Sequence, residues 1–157
     1  MKLPHVPIVL LCTLLLSGCM IATGPNFTEA APPQNDKALV YFYWPKAFAM
    51  AARTSEIFVD GKEVAELNAG GYDYVYVEPG HHVFTQKWPF NPLLGTFVSS
   101  AIGFNADLTP GETRYVRFST GTGAGGYNSI ELVWQLEQVS PMTGANEIAG
   151  ERHQSLH

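Results

Sequence analysis

Four groups of residues have the chemistry to act on a ligand, and each must be weighed against what a fold alone would ask of it. Gly121, Gly123 and Gly126 keep the G-x-G-x-x-G spacing that lets backbone amides approach a pyrophosphate. The residues that follow, 128–139 (NSIELVWQLEQV), alternate as a strand does instead of opening a helix. A glycine-rich hairpin loop is therefore expected, and no nucleotide or other cofactor. His81 and His82 are adjacent, so on a strand they point to opposite faces and cannot share one ion. His153 and His157 have the i, i+4 spacing of a helical pair but lie in a tail with little to fold it, so no metal site is expected there either. The carboxylates Glu56, Asp60, Glu63, Glu66, Asp73 and Glu78 fall on strands and turns, where solvated faces and turn chemistry account for them. No Gly-x-Ser-x-Gly elbow occurs. No catalytic residue is assigned, and the chain is not expected to be an enzyme.

The remaining candidates are contact surfaces. Tyr72, Tyr74 and Tyr76 share one face of a strand, and Tyr41 and Tyr43 share one face of another. If these strands are neighbours, the five rings form a platform of the kind that stacks on sugars or anchors a protein partner. The alternative is a core whose hydroxyls reach the rim. The second surface is apolar: Phe48 and Met50 in PKAFAMAAR (45–53), and Leu93, Leu94, Phe97 and Val98 in WPFNPLLGTFVSSAIGFNA (88–106). These residues either touch a membrane or partner, or pack on the domain's own sheet.

The elements that must position these groups read as mainly β. Residues 37–44 (KALVYFYW) form a first strand, stopped by Pro45, with Val40, Phe42 and Trp44 on one face and Leu39, Tyr41 and Tyr43 on the other. Residues 56–84 read as a meander of consecutive antiparallel strands: Asp60-Gly61 suits a type I′ turn, and Pro79-Gly80 suits the middle of a type II turn. Pro110-Gly111 repeats that turn before a strand at 113–119. Asn91 and Pro92 read as the start of a short helix that Gly103 ends. The tail has room for another near 144–150 before a frayed end. If every connection reverses direction, the loops 45–53, 68–71 and 88–106 gather at one end, with Asp60-Gly61, Pro79-Gly80 and the glycine loop at the other.

The chain of 157 residues is 46% hydrophobic and 15% charged, enough apolar content for one core. A formal charge of −5 without a Lys/Arg cluster argues against nucleic acid as a partner. After Lys2, the run 6–16 (VPIVLLCTLLL) has signal-peptide length and is too short to span a bilayer. It ends in Leu16-Ser17-Gly18-Cys19, which resembles the lipobox of bacterial lipoproteins. That resemblance implies cleavage before Cys19 and acylation of its thiol. Cys12 would leave with the signal, so no disulfide is available to the mature domain. Met20 in place of Asp after the cysteine resembles the outer-membrane sorting pattern of enteric bacteria. The expected organisation is a signal peptide at 1–18, a lipidated flexible tether at 19–36, a β-sandwich domain at 37–140, and a tail at 141–157.

The order of ALVYFYWP, VDGKEVAEL, GGYDYVYVEPGHHVF and LTPGETRYVRF resembles the bacterial lipoprotein family catalogued as domain of unknown function 2846. VEPGHHVF is also similar to the strand, Pro-Gly turn, strand signature of PEGA-type modules. Two features depart from the family's pattern: Trp44 before Pro45, and a long apolar insertion at 88–106. The patterning reads as an antiparallel β-sandwich of about seven strands with one short helix at about 91–103; the resemblance implies a β-sandwich envelope lipoprotein and no catalytic residues. The expected protein is a lipid-anchored, non-catalytic binding or structural module of the bacterial envelope. It would be held in the membrane by its acyl chains, facing the periplasm, with an envelope protein or glycan as partner. The alternatives are a periplasmic glycan or peptidoglycan binder using the tyrosine face, and an enzyme.

Overall fold

The structure, a computed structural model, describes residues 21–34, 36–47, 53–89, 101–125 and 129–156. The strands are β1 (Ala38–Trp44), β2 (Ser55–Val59), β3 (Lys62–Leu67), β4 (Gly71–Val77), β5 (Gly80–Lys87), β6 (Ile102–Leu108), β7 (Thr113–Ala124) and β8 (Ile130–Val139). A helix, α1 (Pro141–Ile148), and a two-residue strand, β9 (Arg152–His153), follow. They build a five-stranded sheet in the order β8-β7-β1-β4-β9 and a four-stranded sheet in the order β3-β2-β5-β6.

The first strand organises both layers. Its run of β-branched and aromatic residues has no polar side, and all seven residues are buried. As the alternation predicts, Ala38, Val40, Phe42 and Trp44 face one core and Leu39, Tyr41 and Tyr43 another. The first core lies between the two sheets, where Ile57, Val59, Ala65, Leu67 and Phe84 meet Phe42, Val116 and Phe118. This is two sheets packed face to face, as in a β-sandwich.

The turns behave as their chemistry predicts, but the pairing differs from a single meander. Asp60 and Gly61 both have positive φ (52° and 79°), and β2 and β3 form a hairpin across them. The chain then leaves for the other sheet, where β4 pairs with β1, and returns as β5 beside β2. A turn dipeptide specifies a reversal and leaves the partner open. At Gly80 φ is 137°, away from the value near +80° of a type II turn, because Pro79-Gly80 carries the chain between sheets. Gly111 has the type II value, 77°, and Glu112 N donates to Thr109 O at 3.4 Å.

The 91–103 helix is corrected at its C-terminal end. Residues 102 and 103 belong to β6, which pairs along its length with β5. Ile102, Phe104 and Ala106 pack on the first core from alternate positions, a period of two. Residues 91–100 of that segment, with Leu93, Leu94, Phe97 and Val98, lie outside the described residues, as do Phe48 and Met50. Nine strands are present among the described residues where about seven were expected, and the sheet is not wholly antiparallel, since β1 pairs in parallel with β7 and β4 with β9.

The unforeseen β6 inverts the direction of everything after it. The β7–β8 hairpin therefore leaves the domain at the end where β1 stops, and not beside Asp60-Gly61 and Pro79-Gly80. The roots of the two apolar insertions do meet there: the rings of Trp44 and Trp88 are 6.0 Å apart, and the Arg53 guanidinium lies 4.6 Å from the Trp88 ring.

Phe84 is completely buried and Ile130 is 77% exposed. Phe84→Ala is expected to destabilise the fold by about 3–5 kcal/mol and Ile130→Ala by less than about 0.5 kcal/mol. Urea unfolding of the two variants checks the contrast.

Candidate functional site

The second face of the five-stranded sheet collects the tyrosines. Strands β1 and β4 are neighbours, with Tyr41 opposite Tyr74 and Tyr43 opposite Tyr72. Tyr115 comes in from β7, its ring stacked on Tyr41 at 5.2 Å. The five rings named in the sequence are thus brought together, but they are not an open platform. Tyr41, Tyr43 and Tyr72 are buried, Tyr74 is half-buried, and Tyr76 is 39% exposed.

Two segments outside the expected domain cover them. Residues 21–34, expected as a flexible tether, run across the face as a strap. The Phe27 ring packs 5.0 Å from Tyr72 and 5.9 Å from Tyr41. The hydroxyls take up the strap's backbone: Thr28 N donates to Tyr72 Oη (3.1 Å), Ala30 N donates to Tyr41 Oη (2.7 Å), and Tyr76 Oη donates to Ala31 O (2.6 Å). A buried hydroxyl without a partner costs free energy, and a short polar segment with free amides and carbonyls supplies the partners. The tail is likewise not frayed. Ser140 caps α1 by accepting from Thr143 N, Pro141 occupies its first turn, and Ile148 is buried against the tyrosines. Gly144 is required there, because a Cβ would fall 2.2 Å from the Tyr115 ring.

The strap and tail also hold each other. Asn26 bridges to Arg152, Phe27 N donates to Glu151 O, and His153 N donates to Pro25 O. A Cβ on Gly24 would lie 1.7 Å from the His153 carbonyl oxygen, so only glycine fits the crossing. Beyond it, Ile21 bridges to Ala69. Strap and tail residues thus pack on the two sheets of the domain expected at 37–140.

Charge is arranged around this packing. Burial pushes the hydroxyls of Tyr41, Tyr43 and Tyr115 above their ordinary range, so they act as neutral hydrogen-bonding groups. Tyr43 Oη donates to Glu147 Oε2 at 2.6 Å; Arg117 donates to Glu147 and Glu137 at 2.8 and 2.7 Å, tying α1 to β7 and β8. The hydrogen bond from Arg117 to Glu137 holds the guanidinium above its usual value. Glu151, buried beside the strap, has its carboxyl pushed up to about 6 by desolvation. His153 lies 3.3 Å from Asp73, whose carboxyl burial also pushes up.

The other sequence candidates stay apart. His81 contacts Asp107 at 2.9 Å, while His82 contacts Asp60 at 2.6 Å and Glu78 O at 2.7 Å. The amide of Val83, donating to Asp60, and the His82 ring hold the Asp60 carboxyl below its usual range. Gly121 and Gly123 are paired strand residues of β7, while Gly126 and His157 lie outside the described residues. Among the described residues, no three His, Cys, Asp or Glu side chains converge as a metal site would require, and no helix is long and apolar enough to cross a membrane. An open, polar cleft of about 420 Å³ lies where strap and tail cross, walled by Thr23, Glu66, Asn68, His153, Gln154 and Ser155. Sequence patterning did not reveal it, because most of its walls come from segments read as tether and tail. Their signal was indirect: a tyrosine-rich face needs hydrogen-bond partners as well as cover.

The fold defines a mainly β, two-sheet protein with a strapped second face. Residues 34–128 match the family model described as Protein of unknown function (DUF2846), and the chain belongs to that family. Searches of curated proteins and of solved structures return no match. The family match takes in β1 to β7, while most of the strap, together with β8, α1 and β9, lies outside it.

Tyr41→Phe leaves the Ala30 amide without its acceptor. It should cost about 1 kcal/mol and speed hydrogen exchange at that amide; unchanged exchange there would refute the strap's attachment. Glu151 gives a pH signature. Its folded pKa, about 6, exceeds the unfolded value of 4.5, so its contribution to stability is fully present below about pH 4.5 and lost as pH rises through 6. Glu151→Gln should flatten that part of the profile, read as the difference between variant and parent urea midpoints.

Proposed function

We propose that this chain is a lipid-anchored protein of the bacterial cell envelope, held through acylated Cys19 and acting as a non-catalytic binding or structural module. The observation that carries the reading is the N-terminal pattern, a basic residue, an eleven-residue apolar run and Leu16-Ser17-Gly18-Cys19. Several acyl chains on one cysteine anchor durably, since each buried CH₂ contributes about 0.8 kcal/mol. Met20 favours the outer membrane, with the domain facing the periplasm and an envelope protein or glycan as partner. Nucleic acid is not proposed, because no basic cluster is present in the sequence.

A glycan-binding reading retains Tyr74 and Tyr76. The Tyr74 ring stacks on His153 at 5.8 Å and part of both tyrosines reaches solvent. Unaltered glycan pull-down by Tyr74→Ala would remove it.

Metabolic labelling with palmitate tests the anchoring. The parent protein should carry label and partition with membranes, and Cys19→Ala should lose both. Label retained by Cys19→Ala would sink the proposal.

A further inference from the structure

The anchoring proposal leaves the pose of the domain open, and three observations about one end of the fold bear on it. First, the chain is fixed almost at once after Cys19. Ile21 bridges to Ala69, and Ala22 N donates to Ala69 O at 3.1 Å. Two residues span at most about 7 Å, so acyl chains on Cys19 would enter the bilayer close to the turn at Ala69 and Gly70. Gly70 N donates in turn to Trp44 O, which places this turn at the end where β1 stops.

Second, the β7–β8 hairpin projects from that same end. β7 runs parallel to β1, with Arg117 opposite Tyr43, and continues to Ala124. The six residues after Phe118 carry the arm about 20 Å beyond the level of Trp44.

Third, the arm carries exposed apolar side chains where it overhangs. Ile130, Leu132 and Val133 are 77%, 46% and 45% exposed. Their neighbours across the hairpin are Ala124, Thr122 and Gly121, and Glu131 is the one charged residue in the sequence from 119 to 135. The opposite end of the domain is charged, with Lys37, Asp60, Lys62, Glu78, Asp107 and Glu112 around its turns.

Resting on the acylation of Cys19, we propose that the β7–β8 arm is a second membrane contact. Ile130, Leu132 and Val133 enter the lipid interface beside the acyl anchor, and the domain is held with its charged end toward the periplasm. The occupant is a bilayer because the anchor brings lipid to this end, where Ile130 and Leu132 lie exposed on one face of the hairpin and Val133, between Glu131 and Gln135, on the other. Lys46, Arg53, Lys87 and Arg152 at this end stand against Glu56, Glu66 and Glu151, close to balance, so insertion is carried mainly by apolar area and depends little on anionic lipid.

The full-length acylated protein, reconstituted in phosphatidylethanolamine and phosphatidylglycerol vesicles, tests this directly. Acylation blocks the Cys19 thiol, so Ile130→Cys and Lys62→Cys each offer one site for an environment-sensitive fluorophore. Position 130 should shift to the blue and lose most of its emission to lipids carrying a quencher about 5–10 Å below the headgroups, at low and high phosphatidylglycerol alike; position 62 should do neither. Equal behaviour of the two positions in protein shown by mass spectrometry to be acylated would overturn the arm's insertion and leave the anchoring intact. Absence of the acyl mass would overturn both. Protection of position 130 from aqueous iodide in lipid-free Cys19→Ala would show that the arm is covered by its own chain or by a second copy, and would also overturn the insertion.

Discussion

A strand with no solvent face sets the terms for the rest of the molecule. All of β1 is buried between β7 and β4, with aromatic residues on both sides, and each such side chain removed from water contributes about 1.5–3 kcal/mol. Both sides must then be covered, and the two covers differ because the two faces do. Val40 and Phe42 need only apolar area, which the four-stranded sheet supplies. Tyr41 and Tyr43 bring hydroxyls, so their cover has to supply hydrogen bonds as well. A sheet whose backbone groups are paired within itself has few to spare; a strap of irregular backbone and a helix bearing Glu147 have them available.

The two layers consequently depend on different interactions. The inter-sheet core is built from contacts such as Trp44 to Phe118 at 4.9 Å and Phe84 to Phe104 at 5.0 Å, which are tolerant of small shifts in direction. The strapped face is held by hydrogen bonds whose geometry fixes position. It brings the strap to Tyr41, Tyr72 and Tyr76, and the helix to Tyr43. The family match covers the first layer and the tyrosines of the second, but leaves most of the strap and the whole of α1 outside.

Strands, turns and the two-faced burial of β1 were readable in the sequence because they are local. Alternation assigns Val40 and Tyr41 to opposite faces without knowing what covers either, and Asp60-Gly61 forms its turn in any pairing. The partner of each strand was not local. Nothing in GGYDYVYV says whether β4 lies beside β3 or β1, and an apolar stretch running into IGFNA reads as helix until β5 is seen to pair with it. Missing β6 then displaced the glycine hairpin to the wrong end of the domain, since each strand added reverses the direction of all that follow. The strap was hidden for a further reason: its residues carry little hydrophobic signal, and what fixes them is the hydroxyl groups of distant tyrosines.

The pairing of strap and tail also bears on the order in which the protein can be completed. Residues 25–27 bond to residues 151–153, and Phe27 settles on rings from β1 and β4. During synthesis the strap is among the first parts to emerge and its last partners are among the final ones, so the cover of the tyrosine face stays incomplete until nearly the whole chain has been delivered. The inter-sheet core has most of its strands earlier. A chain halted before residue 140 would present Tyr43 without Glu147 to accept from its hydroxyl and Tyr115 without a helix over it, a surface that a quality-control protease or chaperone could distinguish from the finished protein.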